Sequence, residues 1–292
     1  MLLPAFEYHR PTGLAEAFEV LDHYAGKARV LAGGTDLLVN MKRKTVAPKQ
    51  LVGLERVAEL LGVRAGNGRI EIGARETAAR LAGAGGIARD LGVLAMAAAK
   101  LGSPQVRNLA TIGGNLCTAR PAADMPLPLL VLDARVVLAG SAGEREVGLD
   151  AFFAGPGQTV AQPKEILTKV VIDRAEPGTG GGFVKLGLRR TLEIALVNAA
   201  ALLTLDVDGK TIKKARVALG AVAPTPIRAP EAERVLLGKV ASDELFAHAG
   251  EAAKQDARPI TDHRGSATFR LEMVSVLTRR ALHQAWENAR EQ

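Results

Sequence analysis

Residues 29–41 read Arg29-Val-Leu-Ala-Gly-Gly-Thr-Asp-Leu-Leu-Val-Asn-Met41. A short apolar strand runs into a double glycine, and an apolar run at helical spacing follows. Glycine has no Cβ and tolerates positive φ, so backbone at such a turn approaches a ligand closely. Successive N–H groups there form an anion-binding concavity, and a following helix adds its positive end. A second double glycine stands in Thr111-Ile-Gly-Gly-Asn115. Each site carries a hydroxyl, Thr35 or Thr111, of the kind that donates to phosphate. Two such loops suit the two phosphates of one pyrophosphate. Neither fits GxGxxG after a strand, and no GxxxxGK[ST] occurs, so a Rossmann dinucleotide site and a P-loop are both unsupported.

Outward from these loops, residues 14–25 place apolar groups at helical spacing after Pro11-Thr12-Gly13. Leu51–Leu54 and Arg69–Gly73 read as strands, with a helical Val57–Leu61 between them. Thr77–Leu81, Ile87–Leu91 and Val93–Leu101 look helical, and Gly102-Ser103-Pro104 stops that run. The stretch 105–119 carries few helix signals. Asp124–Leu132 reads as a helix; Ala134–Leu138, Arg145–Leu149 and Ile166–Ile172 read as strands. Glu176-Pro-Gly-Thr-Gly-Gly-Gly182 is the best linker in the chain. Beyond it, strands are expected at Gly182–Leu186, Ala199–Val207 and Lys213–Ala221, with an Asp208-Gly209 hairpin between the last two. A loop at 224–230 precedes helices over 231–237, 241–255 and 266–289.

The chain has 292 residues and a formal charge of +7. At ~100–200 residues per domain that means two domains or three small ones. Aromatic residues make up 3%, which argues against base-stacking surfaces for single-stranded nucleic acid. The densest basic knots, Lys42-Arg43-Lys44 and Arg189-Arg190, are shorter than the runs expected of a nucleic-acid or membrane patch. The one cysteine, Cys117, allows no internal disulfide and no iron–sulfur cluster held by this chain alone. The start has no basic region followed by an apolar stretch, so no secretory signal is expected. The longest apolar run, Ala195–Leu205, is too short to span a bilayer and contains Asn198. A soluble, cytoplasmic protein is the expectation.

Other chemistry is weaker. The five histidines lack ligand spacing with a second histidine or cysteine. Ser103 and Ser141 lack a nucleophile-elbow context. Asp124 either accepts from a ligand or caps a helix starting at Met125, and the cap is favoured on the residues alone. Lys185 reads as solvated surface.

The order of these pieces resembles one family over nearly the full length: the FAD-binding medium subunits of molybdenum hydroxylases, the xanthine dehydrogenase and carbon monoxide dehydrogenase group. The residues that carry the resemblance are Ala32–Leu38, Gln105–Cys117, Ala122–Pro126, Leu129–Ala134, Glu165–Leu167, Phe183–Lys185 with Arg189-Arg190, and Arg264–Arg270 before the last helix. The resemblance implies an α+β fold of two FAD-binding subdomains, of the vanillyl-alcohol oxidase (PCMH) type, over 1–58 and 59–177. A C-terminal α+β flavoprotein domain over 178–292 closes over the flavin. It further implies that Ala32, Gly33, Gly34, Thr35 and Asp36, with Thr111, Ile112, Gly113, Gly114 and Asn115, hold the pyrophosphate and its surroundings. Asp124 is implied as an FAD ligand, which overrides the cap. Leu167 and Lys185 are implied along the isoalloxazine, Ile194 against its face, and Leu101 where relatives are often aromatic.

The function implied is electron transfer: from 2Fe–2S clusters of a small partner subunit, through FAD, to an external acceptor such as NAD, oxygen or a quinone. A large subunit with a molybdopterin cofactor acts on the organic substrate, and the three chains form a heterotrimer or its dimer. Residues 34–43 look closest to the 4-hydroxybenzoyl-CoA reductase branch, yet that branch's cysteine-rich insertion is missing after Cys117. Thr35 stands where the carbon monoxide enzymes typically have histidine, which disfavours that substrate too. The rival readings are a self-contained flavin oxidase or reductase of the same cofactor fold, and a flavin-free scaffold.

Overall fold

The computed structural model describes residues 2–83, 88–189 and 191–291. Three main sheets follow one another along the chain. The first is a parallel sheet of strands Glu7–His9, Gln50–Gly53 and Arg29–Leu31, with Gln50–Gly53 in the middle. Parallel neighbours need crossovers, which helices Leu14–His23 and Leu37–Lys42 supply. Ala17, Leu21, Val52, Leu54, Val57 and Leu60 form its core. The strand Glu7–His9 has two of three residues exposed, so it shows no alternation to read.

The second sheet is antiparallel, in the order Val63–Gly66, Arg69–Gly73, Ile166–Asp173, Arg135–Gly140, Gly143–Gly148. Helices Ala88–Lys100, Pro104–Leu109, Ile112–Thr118 and Pro126–Val131 belong to this middle region. Two of them, Pro104–Leu109 and Ile112–Thr118, cover most of 105–119, where the sequence carries few helix signals. The local chemistry is capping. Ser103 Oγ accepts the Val106 N–H at 3.3 Å, with Pro104 in the first turn, and Thr111 Oγ1 accepts the Gly114 N–H at 3.1 Å. Ser-Pro therefore ends one helix and begins the next. Val57–Leu61 is reduced to one tight turn, Ala58–Leu60. The two short helices read over 87–101 are one, Ala88–Lys100, and Gly92 does not interrupt it. Ile87 lies outside the described residues.

The third sheet joins Thr179–Leu186, Val197–Leu205, Ile212–Gly220 and the short Ile227–Arg228, all antiparallel. The helix Ala267–Arg290 packs along it, backed by Asp243–Ala253 and Pro230–Leu236. Strand Val197–Leu205 is buried on both sides: Ala199, Ala201 and Leu203 face the C-terminal core, while Ala200 joins the core of the middle region. Double burial explains its continuous apolar run.

The expected linker 176–182 is largely strand. Added Cβ atoms at Gly180 and Gly182 would lie 2.3 Å from the Ala285 carbonyl oxygen and 2.2 Å from that of Ala281. These glycines let the last helix lie directly on the sheet. Among the described residues, no helix is long and apolar enough to cross a membrane.

Candidate functional site

A cleft of about 820 Å³ opens between the first sheet and helix Ile112–Thr118. Ala32–Asp36 line it throughout, together with Thr111, Gly113, Gly114, Asn115, Arg120 and Leu167. Two loops far apart in sequence thus share one cavity, near the upper end of the ~300–1,000 Å³ range of ligand clefts.

The loops meet backbone to backbone. A Cβ on Gly33 would fall 1.8 Å from the Leu109 carbonyl oxygen. Gly34 has φ +72°, a left-handed turn that favours glycine. Among the described residues, the N–H groups of Gly33, Gly34, Thr35 and Asp36 donate to no protein acceptor, so they remain available to a ligand.

The second loop differs. Ile112 N–H donates to the Glu76 carbonyl, Gly113 N–H to Ala74, and Asn115 N–H to Thr111, each at 2.9 Å, while Gly114 N–H donates to Thr111 Oγ1. Among the described residues only the Thr111 N–H of this loop is left without a protein acceptor. What this loop offers is the Thr111 hydroxyl proton, the Asn115 amide and the open face of Gly114. Asn115 Oδ1 is buried with no hydrogen-bond partner. A Cβ on Gly114 would meet only Thr111 Oγ1, at 2.9 Å.

Burial in the cleft raises the Asp36 carboxyl, and the Arg120 charge opposes that rise. Cys117 is open to the cleft, yet the protein crowding around it pushes its thiol up to about 12. It is therefore no thiolate nucleophile at neutral pH. Arg75 spends its terminal nitrogens on the Val57 and Glu55 carbonyls, at 2.8 and 2.6 Å.

The remaining expected residues lie elsewhere. Ile112 is fully buried, and Leu101 is packed in the core of the middle region. Ile194 is exposed, outside the residues that line the cleft. Arg190 lies outside the described residues.

Asp124 and Lys185 form a separate buried cluster. Lys185 Nζ donates to Asp124 Oδ2 at 2.6 Å, with both side chains under 10% exposed. Asp124 does not cap: Met125 occupies the cap position before Pro126–Val131. Asn198, the cross-strand neighbour of Lys185, donates to Asp124 Oδ1 at 3.2 Å. Burial raises the Asp124 carboxyl, and Lys185 and Asn198 pull it back down. Asn198 was missed as a site residue. Its signal was present: a lone amide inside an apolar run, here fully buried, with Oδ1 left unpartnered.

These features suit a dinucleotide. Free N–H groups and hydroxyls face one cleft, a glycine face stays open where a side chain would intrude, and an orphaned acceptor awaits a donor.

The comparisons agree. Residues 4–174 match the family described as "FAD binding domain in molybdopterin dehydrogenase". Residues 183–285 match "CO dehydrogenase flavoprotein C-terminal domain". The carbon monoxide dehydrogenase medium chain of Hydrogenophaga pseudoflava is 34% identical, covering 98% of this chain and 99% of that one. The xanthine dehydrogenase FAD-binding subunit of Escherichia coli O157:H7 is 31% identical over 95% of each. A solved carbon monoxide dehydrogenase from Hydrogenophaga pseudoflava, lacking the Mo-pyranopterin moiety of its cofactor, superposes with TM-score 0.94 at 35% identity over 99% of each chain. Cleft, fold and full-length similarity together place this chain in the family of FAD-binding medium subunits of molybdopterin dehydrogenases, a family of oxidoreductases.

Proposed function

We propose that the chain is the FAD-carrying electron-transfer subunit of a multi-subunit molybdenum hydroxylase. It takes electrons from 2Fe–2S clusters of a small partner subunit, stands beside a large molybdopterin subunit, and delivers to an external acceptor in the cytoplasm. The observation that carries this reading is the meeting of Ala32–Asp36 and Thr111–Asn115 at one cleft. Bound FAD supplies the conversion between one-electron and two-electron transfer; the protein supplies binding, orientation and electrostatics.

In this reading the free N–H groups from Gly33 to Asp36 hold one side of the diphosphate. Thr111 donates its hydroxyl proton from the other side, and Asn115 Oδ1 accepts from a hydroxyl or N–H of the cofactor. Leu167 flanks the isoalloxazine. Lys185 and Asp124, fixed by Asn198, lie toward the flavin end, with Leu101 and Ile194 at its margin. The divisions 1–58, 59–177 and 178–292 belong to the same proposal, and each contains one of the main sheets.

The test is an absorbance spectrum of the native complex pulled down through this chain, with mass spectrometry of its companions. Flavin and 2Fe–2S bands, molybdenum and two further polypeptides are expected. Flavin on a solitary chain that turns over a small molecule would overturn the proposal in favour of a self-contained flavoenzyme.

A further inference from the structure

The cleft is lined by four cations, Lys27, Arg29, Arg75 and Arg120, of which Arg75 is committed to backbone carbonyls. Arg29 opens the strand that leads to the first loop. It stands four positions before Gly33, about 13 Å back along extended chain at ~3.3 Å per residue. Lys27 is further still. Arg120 is placed differently. Helix Ile112–Thr118 ends at Ala119, whose φ of 47° turns the chain sharply, and Arg120 then lines the same cleft as both glycine loops. Among the described residues no hydrogen bond or ion pair engages its guanidinium. Its charge opposes the rise of the Asp36 carboxyl at the end of the first loop.

Among the described residues the second loop leaves only the Thr111 N–H free for an anion, because each from Ile112 to Asn115 already has a protein acceptor. A diphosphate held between the loops therefore gains hydrogen bonds from the first loop, and a countercharge must come from a side chain. A guanidinium suits it, because its planar fork donates two parallel hydrogen bonds to phosphate oxygens. Thr111 and Asn115 bring no charge. We propose that Arg120 is the charged anchor of the cofactor diphosphate, donating to phosphate oxygens from the side of the cleft opposite Gly33–Asp36. This rests on the FAD reading above and assigns the recognition of its anionic part.

The test uses the full chain freed of flavin, as wild type, R120Q and G114V, titrated with FAD, ADP and riboflavin. R120Q is expected to bind FAD and ADP about 10- to 100-fold more weakly, the loss of one charge-assisted contact. Its FAD affinity also becomes less sensitive to salt. Riboflavin, which has no phosphate, binds R120Q and wild type alike. Unchanged FAD affinity in R120Q, with affinity lost in G114V, overturns the Arg120 assignment and leaves the cofactor reading intact. An equal loss for riboflavin also overturns it, since the residue would then act on the fold. A wild-type chain that takes up no FAD overturns both.

Discussion

A methyl group added at Gly33 would sit 1.8 Å from the Leu109 carbonyl oxygen, whereas one added at Gly114 would meet only the hydroxyl of Thr111. The first glycine is needed by the protein, and the second keeps space open in the cleft. G33A is therefore expected to lose about 3 kcal/mol of stability by overpacking, read as a lowered denaturation midpoint. G114V is expected to keep its midpoint within about 1 kcal/mol, because a half-buried β-branched side chain that meets only the Thr111 hydroxyl costs the helix little. It should purify without flavin absorbance. A yellow G114V protein would remove Gly114 from the site. Both residues look alike in the chain, since a GG pair does not say which neighbour fills the absent Cβ. Asn198 shows the converse case. Its amide stood out in an apolar run, but only the pairing of its strand with Lys185 brings it onto Asp124.

The last helix depends on what lies beneath it and on what ties its start. Strand Thr179–Leu186 offers glycine where backbone meets backbone, so G182A should cost about 2–3 kcal/mol in thermal or chemical denaturation. G178A, where φ is +72° and no backbone atom comes closer than 3.4 Å, should cost about 1 kcal/mol. Near the start of the helix, buried Arg270 donates to the carbonyls of Leu196 and Ala221, at 3.2 and 3.1 Å, and to Asp262 at 2.7 Å. Partial burial would raise the Asp262 carboxyl. The Arg264 N–H and the Arg270 and Arg264 guanidiniums outweigh it and hold the group at about 2. A depressed carboxyl stabilises the fold above its unfolded value, and that contribution disappears as pH falls through the folded value. D262N should therefore be destabilised by about 1–2 kcal/mol near neutral pH, discounted for partial exposure. The gap to wild type should close between about pH 4 and pH 2. An equal gap at pH 7 and pH 2.5 in urea titrations would show that the ion pair is not its source.

Across the molecule, the cleft takes residues from the first sheet's loop and from the middle region's helix, so a ligand bound there bridges two regions with separate cores. A ligand that binds only the folded state stabilises by mass action, by about 2.7 kcal/mol at a hundredfold excess over its dissociation constant. Added FAD should therefore raise the melting temperature of the flavin-free chain in a concentration-dependent way, measured by calorimetry. A melting temperature indifferent to FAD would mean that the cleft is not where the cofactor binds. The third sheet shares part of the middle region's core through Phe183, Ala200 and Ala218, which couples it to that region's unfolding.

Local pattern was enough for the strand–glycine–helix unit at 29–41, the long strands and the closing helix. Each depends on propensity and periodicity over neighbouring residues. The two glycine motifs likewise marked the loops that line the cleft, because backbone freedom at such turns is a local property. Long-range contact decided the rest. Helices in 105–119 form on caps at Ser103 and Thr111 despite weak propensity, and tertiary packing stabilises them. The supposed linker became strand because glycines there admit a helix from a hundred positions away. Which amides stay free for an anion, which are satisfied by Glu76 and Ala74, and which cations line the cleft are facts of tertiary approach. A hydrogen-bond acceptor supplied from another element leaves no periodicity in the chain that receives it.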